Sequence, residues 1–461
     1  MDLEAIVIGS GFGGAVAALR LGEAGVHAVV LERGRRWPIV PTEDTFAPST
    51  NPDGRSVWLR TNWAGRPVER HVGVRDVFEA DGMTIVQGTG VGGGSLVHAA
   101  ITCQPAREMF LRSFGDAVDY EEMDRVYYPR ARAILKASQI PDDVLAAPCS
   151  EGARRFLARA SVAGFVPRRL ELCVDWDVVR EELAGNKAPS FTVGEFTTNS
   201  GAKNSLDRNY LSLAEATGRV EIRPLHQVVG IQERPDGGFG VMFERIHETG
   251  GVVSSGVLGC RHLFLAAGSL GTTKLLLRAR WKGTLTRLSE HVGTGWGANG
   301  DRFVPVDEER RMVAGAAFEH FDNPHGPVLM EDMPNVRFAI TFGAATGTLR
   351  YDPARDDVTL GWPSEHSANV EATNATAYTN ALFEERNGLP SSGPCVSTRT
   401  VHPLGGAAIG RVCDTTGRVF GYERLYVLDG ALVPGTSGCA NPSLTIAALA
   451  ERAMERIVGR F

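Results

Sequence analysis

The sequence has no C-x-x-C pair, no long run of one charge, and no apolar stretch near the ~20 residues that span a membrane. Cys103, Cys149, Cys173, Cys260, Cys395, Cys413 and Cys439 stand apart, and their number is odd. Structural zinc, iron–sulfur ligation and a disulfide framework all need closer or paired cysteines, so no metal site is expected. Basic and acidic residues number 48 and 54, for a net charge of −6. The densest basic patch, Arg33–Arg36 ("RGRR"), is too short for a nucleic-acid footprint. A strand-like run begins near residue 4 and leaves no room for a charged leader plus apolar segment. The expectation is a soluble, cytoplasmic protein, monomeric or a small homo-oligomer, with no nucleic-acid partner and no membrane span.

Glycine, by contrast, is abundant: 54 of 461 residues, against a usual ~7%. Much of it falls in runs at Gly9–Gly14, Gly88–Gly94, Gly293–Gly300 and Gly405–Gly410. Such runs mark places where backbone approaches a ligand or another segment, because glycine carries no side chain. The first run lies inside "AIVIGSGFGGAVAALRLGEAGVHAVVLERG", which reads as strand, tight turn, helix and second strand. Parallel strands require such a crossover, so a parallel sheet is expected at the N-terminus. The strand–turn–helix logic returns in "HLFLAAGSLGTTKLLLRA", and "LYVLDGALVPG" reads as another buried strand. "NPSLTIAALAERAMERIVGRF" reads as a helix, with Asn441 as N-cap and Pro442 at its first position. Residues 37–81 show no sustained period and read as loops and short elements.

Gly9, Gly11 and Gly14 spell G-x-G-x-x-G between a strand and a helix, the context a dinucleotide site requires. Gly9 permits the turn, Gly11 admits a pyrophosphate, and Gly14 lets helix and strand close up. Glu32 ends the second strand, where a carboxylate can accept from a ribose diol. The motif does not separate FAD from NAD. Two observations favour FAD: the fingerprint in that strand–helix context occurs once, and a second glycine run, "QGTGVGGGSLVHAA", follows some 75 residues later.

Beyond that fingerprint, "GTGVGGGSLV" (88–97), "NSLDRNYL" (204–211), "LFLAAGSLGTTKLL" (263–276), "VGTGWGANG" (292–300), "HPLGG" (402–406) and "LYVLDGALVPG" with "NPSLTIAALAER" (425–452) resemble the glucose–methanol–choline (GMC) oxidoreductases. Within that family the sequence is most similar to the bacterial cholesterol oxidase branch. The resemblance implies an α/β fold: a Rossmann-like FAD-binding domain (1–40, 203–298, 417–461) interleaved with an α+β substrate domain (41–202, 299–416) built on a six-stranded sheet. It implies FAD held by Gly9, Gly11, Phe12, Gly13, Gly14 and Glu32, by Gly88, Gly90, Gly93, Gly94, Ser95 and His98, and by Val228. Ala267, Gly268, Asp429, Gly430, Asn441 and Pro442 complete that set. His402 and Asn441 would face the reactive flavin edge, and Glu331 would assist double-bond isomerisation. Val401 and Ser443 stand where cholesterol oxidases tend to carry aromatics, which removes bulk from beside the flavin.

The implied chemistry is oxidation of a secondary alcohol on a bulky apolar, sterol-like or polycyclic substrate, with hydride passing to flavin N5 and O2 reduced to H2O2. Histidine suits proton handling because its unperturbed pKa is about 6.5. Three alternatives stay open: a dehydrogenase with another electron acceptor, a flavin protein without redox turnover, and a flavin hydroxylase using NAD(P)H.

Overall fold

The computed structural model describes residues 2–39, 44–306, 315–459 and 461. The N-terminal unit forms as the sequence pattern requires: β1 (Leu3–Ile8), α1 (Phe12–Glu23) and β2 (Ala28–Leu31). Ala5, Ile6 and Val7 are fully buried, as expected of a parallel strand covered on both faces. The same sheet takes β3 (Val220–Arg223), β4 (His226–Glu233), β5 (Phe239–Ile246), β6 (Val252–Leu265) and β7 (Leu425–Val427). Its order is β3-β2-β1-β6, with β1 parallel to both β2 and β6.

β6 changes partners along its 14 residues. Its first part runs antiparallel to β5, from Val252 opposite Ile246 to Cys260 opposite Phe239. Its last part, Leu263–Leu265, runs parallel to β7. The apolar run "HLFLAAG" marks only that buried end. The earlier residues are largely exposed and are held by the β4–β5 hairpin instead. After β6 comes α2 (Gly268–Trp281), and after β7 comes α3 (Pro442–Val458), which packs against α1.

A second sheet is antiparallel throughout, in the order Asp301–Pro305, Val336–Thr341, Val328–Met333, Ala316–His320, Val166–Arg169. Helices Glu151–Val162 and Ser367–Arg386 pack against it. Five strands are present among the described residues, where the family pattern led us to expect six. Beyond Asp301–Pro305 only an isolated bridge forms, Phe303 with Val396. The chain there reads "LPSSGPCVS", and proline cannot donate to a ladder.

A small third sheet joins these parts. Met83–Gly88 pairs antiparallel with Arg75–Ala80 on one side, and on the other runs parallel to Arg399–Thr400. It delivers His402 and the second glycine run to the same region.

Candidate active site

Between the two large sheets lies a cavity of about 690 Å³, bordered by the turn after β1 at one end and by His402 and Asn441 at the other. Its glycine wall is shaped by sterics. Gly9 has φ +95°, a left-handed backbone that favours glycine. A Cβ on Gly13 would strike the carbonyl of Leu428. Gly11 differs: a Cβ there would meet no atom within 4 Å and would project into space the cavity owns. α1 starts at Gly11 with no side-chain cap and no acidic residue in its first turn. Its unpaired N–H groups and partial positive charge are therefore available to an anion.

Glu32 lines the cavity, yet its carboxylate is already engaged by protein. Oε2 accepts from Ser10 N (3.1 Å) and Ser10 Oγ (2.7 Å); Oε1 accepts from Gly34 N (2.9 Å) and Gly90 N (3.4 Å). A carboxylate offers about four acceptor sites, so Glu32 stitches the two glycine runs together. Val228 borders the cavity beside an irregularity in the β4–β5 register. Asp429 accepts from Gly268 N (2.8 Å), Thr272 Oγ1 (2.5 Å) and Ala431 N (2.8 Å). Burial pushes its pKa up to about 6, against the lowering effect of those donors.

Phe12, Gly88, Gly93, Gly94, His98, Ala267, Gly268, Gly430 and Pro442 also line the cavity, but Gly14, Gly90, Ser95 and Glu331 do not. Gly14 packs α1 on the turn after β1. Gly90 meets Ser10 Oγ through its carbonyl at 3.2 Å. Ser95 Oγ donates to Gly92 O (2.7 Å) and accepts from Leu206 N (2.9 Å), bracing its loop from within. His98 stands edge-on to Phe12 and places Nε2 3.5 Å from Cys173 Sγ, while its Nδ1 is buried without a partner among the described residues. Burial and then the Lys203 charge hold His98 well below the usual imidazole range, so it is neutral.

At the other end, His402 Nδ1 lies 2.9 Å from Asp301 Oδ1. Asp301 is fully buried, and its other oxygen accepts from Thr400 Oγ1 (2.8 Å) and Val401 N (3.0 Å). Burial opposes charge on His402, but the charge and hydrogen bond of Asp301, helped by Glu331, outweigh it and raise the pKa. Asn441 occupies the N-cap position of α3 but makes no side-chain cap. Its Nδ2 instead points to Glu331 Oε2 at 3.4 Å, and its Oδ1 is buried and unpartnered among the described residues. Glu331 sits behind Asn441, fully buried, with Oε1 likewise unpartnered. Burial pushes its pKa up to about 7, against the lowering effects of His402 and Asn441.

Two contributors escaped sequence reasoning. Asp301 directly follows the "VGTGWGANG" run, and a carboxylate closing a glycine-rich segment was the available signal. Lys203, one residue before "NSLDRNYL", is buried with Nζ on the carbonyls of Leu96 (2.9 Å), His98 (3.0 Å) and Phe196. Burial lowers its pKa to about 7. It clamps the loop that carries His98.

The cavity therefore suits an elongated ligand with an anionic group beside the glycine turn: open space at Gly11, free N–H groups at α1, and polar atoms on His98 and Asn441 without a partner among the described residues. The chain matches the family model for GMC oxidoreductase over residues 364–450. It is similar to the cholesterol oxidase of Mycobacterium tuberculosis (strain H37Rv), 27% identical over 98% of this chain and 90% of that one. The Acinetobacter baumannii cholesterol oxidase is 26% identical over 99% and 94%. The fold also matches an FAD-dependent oxidoreductase from Chaetomium thermophilum, with TM-score 0.70, 15% identity and 100% and 99% coverage. No helix among the described residues is long and apolar enough to cross a membrane.

Proposed function

We propose that the chain binds FAD along the glycine-lined cavity and oxidises a secondary alcohol at the His402–Asn441 end, on a bulky apolar substrate. The observation that carries this reading is the convergence of three features on one cavity. They are the G-x-G-x-x-G turn, a carboxylate-backed His402, and an Asn441 amide that leaves its helix uncapped. FAD, when bound, would supply the acceptor for the carbinol hydride.

The chain's own residues handle the proton. Asp301 holds Nδ1–H and so presents Nε2 to the cavity as an acceptor for the substrate hydroxyl. Once His402 takes that proton, the buried carboxylate stabilises the imidazolium. Asn441 and the α3 N-terminus offer partial positive charge to the oxygen, a contact worth roughly 3–4 kcal/mol when preorganised. Phe303, Phe338 and Met333 give this end an apolar wall, which supports a sterol-like or polycyclic partner. The proposal extends to isomerisation assisted by Glu331, whose pKa of about 7 suits proton transfer near neutrality. Its path to substrate runs past Asn441. O2 is the proposed electron acceptor. The division into an FAD domain (1–40, 203–298, 417–461) and a substrate domain (41–202, 299–416) is part of the same reading, supported by the two separate sheets.

The test is anaerobic bleaching of bound flavin by a panel of sterols, polycyclic alcohols and sugars. His402→Ala and Asn441→Ala should keep FAD and bleach at least a hundredfold more slowly. Wild-type bleaching in both variants would remove these residues from the chemistry. Turnover in air should then give one peroxide per alcohol; a shortfall assigns another acceptor.

A further inference from the structure

Four Lys or Arg side chains line the cavity, and three are neutralised by acids. Arg33 meets Asp76 at 2.8 Å, Lys274 meets Asp357 at 3.0 Å, and Arg278 meets Asp356 at 2.7 Å. Arg75 is the exception. Its guanidinium has no hydrogen-bonded or ion-paired carboxylate among the described residues, and the charge it feels is that of Glu195. Glu195 is itself occupied, with Oε1 accepting from Ser49 N (3.0 Å) and Ser49 Oγ (2.8 Å).

Arg75 is half-buried in the cavity wall; withdrawing a guanidinium even partly from water without a counter-ion is costly, and a ligand's negative charge would offset that cost. The cost shows in Arg75 itself: burial brings its pKa down to about 10, and Glu195 offsets only part of that. Arg75 also has a defined place relative to His402. It pairs with Gly88, while Thr84 and Ile85 of the same strand pair with Arg399 and Thr400. Arg75 and His402 thus reach one wall from opposite sides of a single strand, with Val86, Gln87 and Gly88 between them on the cavity surface. Two inter-strand spacings amount to about 10 Å.

We propose that Arg75 is an anion-binding group of this cavity, taking a carboxylate or phosphate oxygen of a bound ligand. Two sources carry that chemistry: the pyrophosphate of the dinucleotide, or an acidic group on the alcohol about 10 Å from the carbinol. Neither source requires a bidentate fork, since a single charge-assisted hydrogen bond to the guanidinium suffices.

The inference rests on the proposed flavin site, and the experiment reads binding without turnover, so the two can fail separately. Calorimetric titration of purified protein with cholate and with methyl cholate compares a hydroxylated acid with its neutral ester. Flavin content and FAD dissociation are measured in parallel on wild type, Arg75→Gln and Arg75→Lys. If the substrate carries the anion, wild type binds cholate at least tenfold more tightly than the ester. Arg75→Gln then erases that preference, Arg75→Lys keeps part of it, and FAD is held equally by all three. If the cofactor carries it, Arg75→Gln raises the FAD dissociation constant at least tenfold, partly rescued by lysine, with no acid preference in any protein. Arg75→Gln matching wild type in both measurements overturns the assignment. A protein that binds no flavin yet prefers cholate through Arg75 would refute the cofactor reading and leave this one standing.

Discussion

Replacing Glu331 with glutamine removes a proton site without changing shape. Glu331 is fully buried, and burial moves its pKa from 4.5 to about 7. A raised carboxyl pKa means the fold prefers the protonated form, so stability falls as pH rises from the unfolded value through the folded one. At 1.36 kcal/mol per unit, the full effect of a shift of about 2.5 units (4.5 to about 7) is about 3 kcal/mol. Most of it, about 2.5 kcal/mol, falls between pH 5 and pH 8. His402 also titrates above its ordinary value, and its contribution falls in the same direction; Asp301, the larger cause of that rise, is present in both proteins, so their difference reports mainly Glu331. The assay is urea unfolding of the FAD-saturated protein at pH 5, 6, 7 and 8. Wild type should lose about 2.5 kcal/mol more than Glu331→Gln across that range. Parallel pH slopes would show that Glu331 is ionised in the fold and refute the argument from burial.

Asp301→Asn should keep the oxygen that accepts from Thr400 and Val401 and turn its amide toward His402, reversing the imidazole tautomer. The charge and hydrogen bond of Asp301 are what raise the His402 pKa, so it should fall in the variant. Histidine ¹⁵N chemical shifts against pH read both changes, and an unaltered titration would separate Asp301 from His402. Gly11→Ala and Gly13→Ala should diverge. The first leaves apoprotein stability within about 0.5 kcal/mol and weakens FAD binding at least tenfold, because its methyl enters the cavity. The second forces Leu428 backbone aside and costs about 1–3 kcal/mol or more. Thermal melts of the apoproteins with flavin titrations distinguish the pair.

The first sheet was legible where its signals are local. β1, its glycine turn, α1 and β2 are contiguous, and each apolar run is long enough to show its period. β7 and α3 were legible for the same reason. The first part of β6 was not, since its stability comes from a hairpin partner and not from its own side chains. A sixth strand in the second sheet is not found among the described residues, where prolines lie beside the one bridge at its edge. At the candidate site, neighbouring motifs pointed to His402 and Asn441, and both line the cavity. Asp301 was missed because its meaning depends on a hydrogen bond across 101 residues. Asn441 was read as a cap because its position and the following proline predict one. Only the packing of Glu331 behind it shows where the amide goes.

The pairing of Ala5 with His262, and of β6 with β7 near the far end of the chain, also sets an order in time. β1 leaves the ribosome with both faces apolar; β2 soon follows on one edge, but the other edge waits for β6. At ~5–20 residues per second, that wait is roughly 10–50 seconds. The His402–Asn441 end of the cavity waits longer, because Asn441 and α3 come later still. Closing such long loops adds little to the equilibrium cost, about 0.6 kcal/mol per doubling of length. It does leave one edge of an apolar strand unpaired during synthesis, so yield in a host cell should depend on chaperone supply and growth temperature more than on the stability of the finished fold.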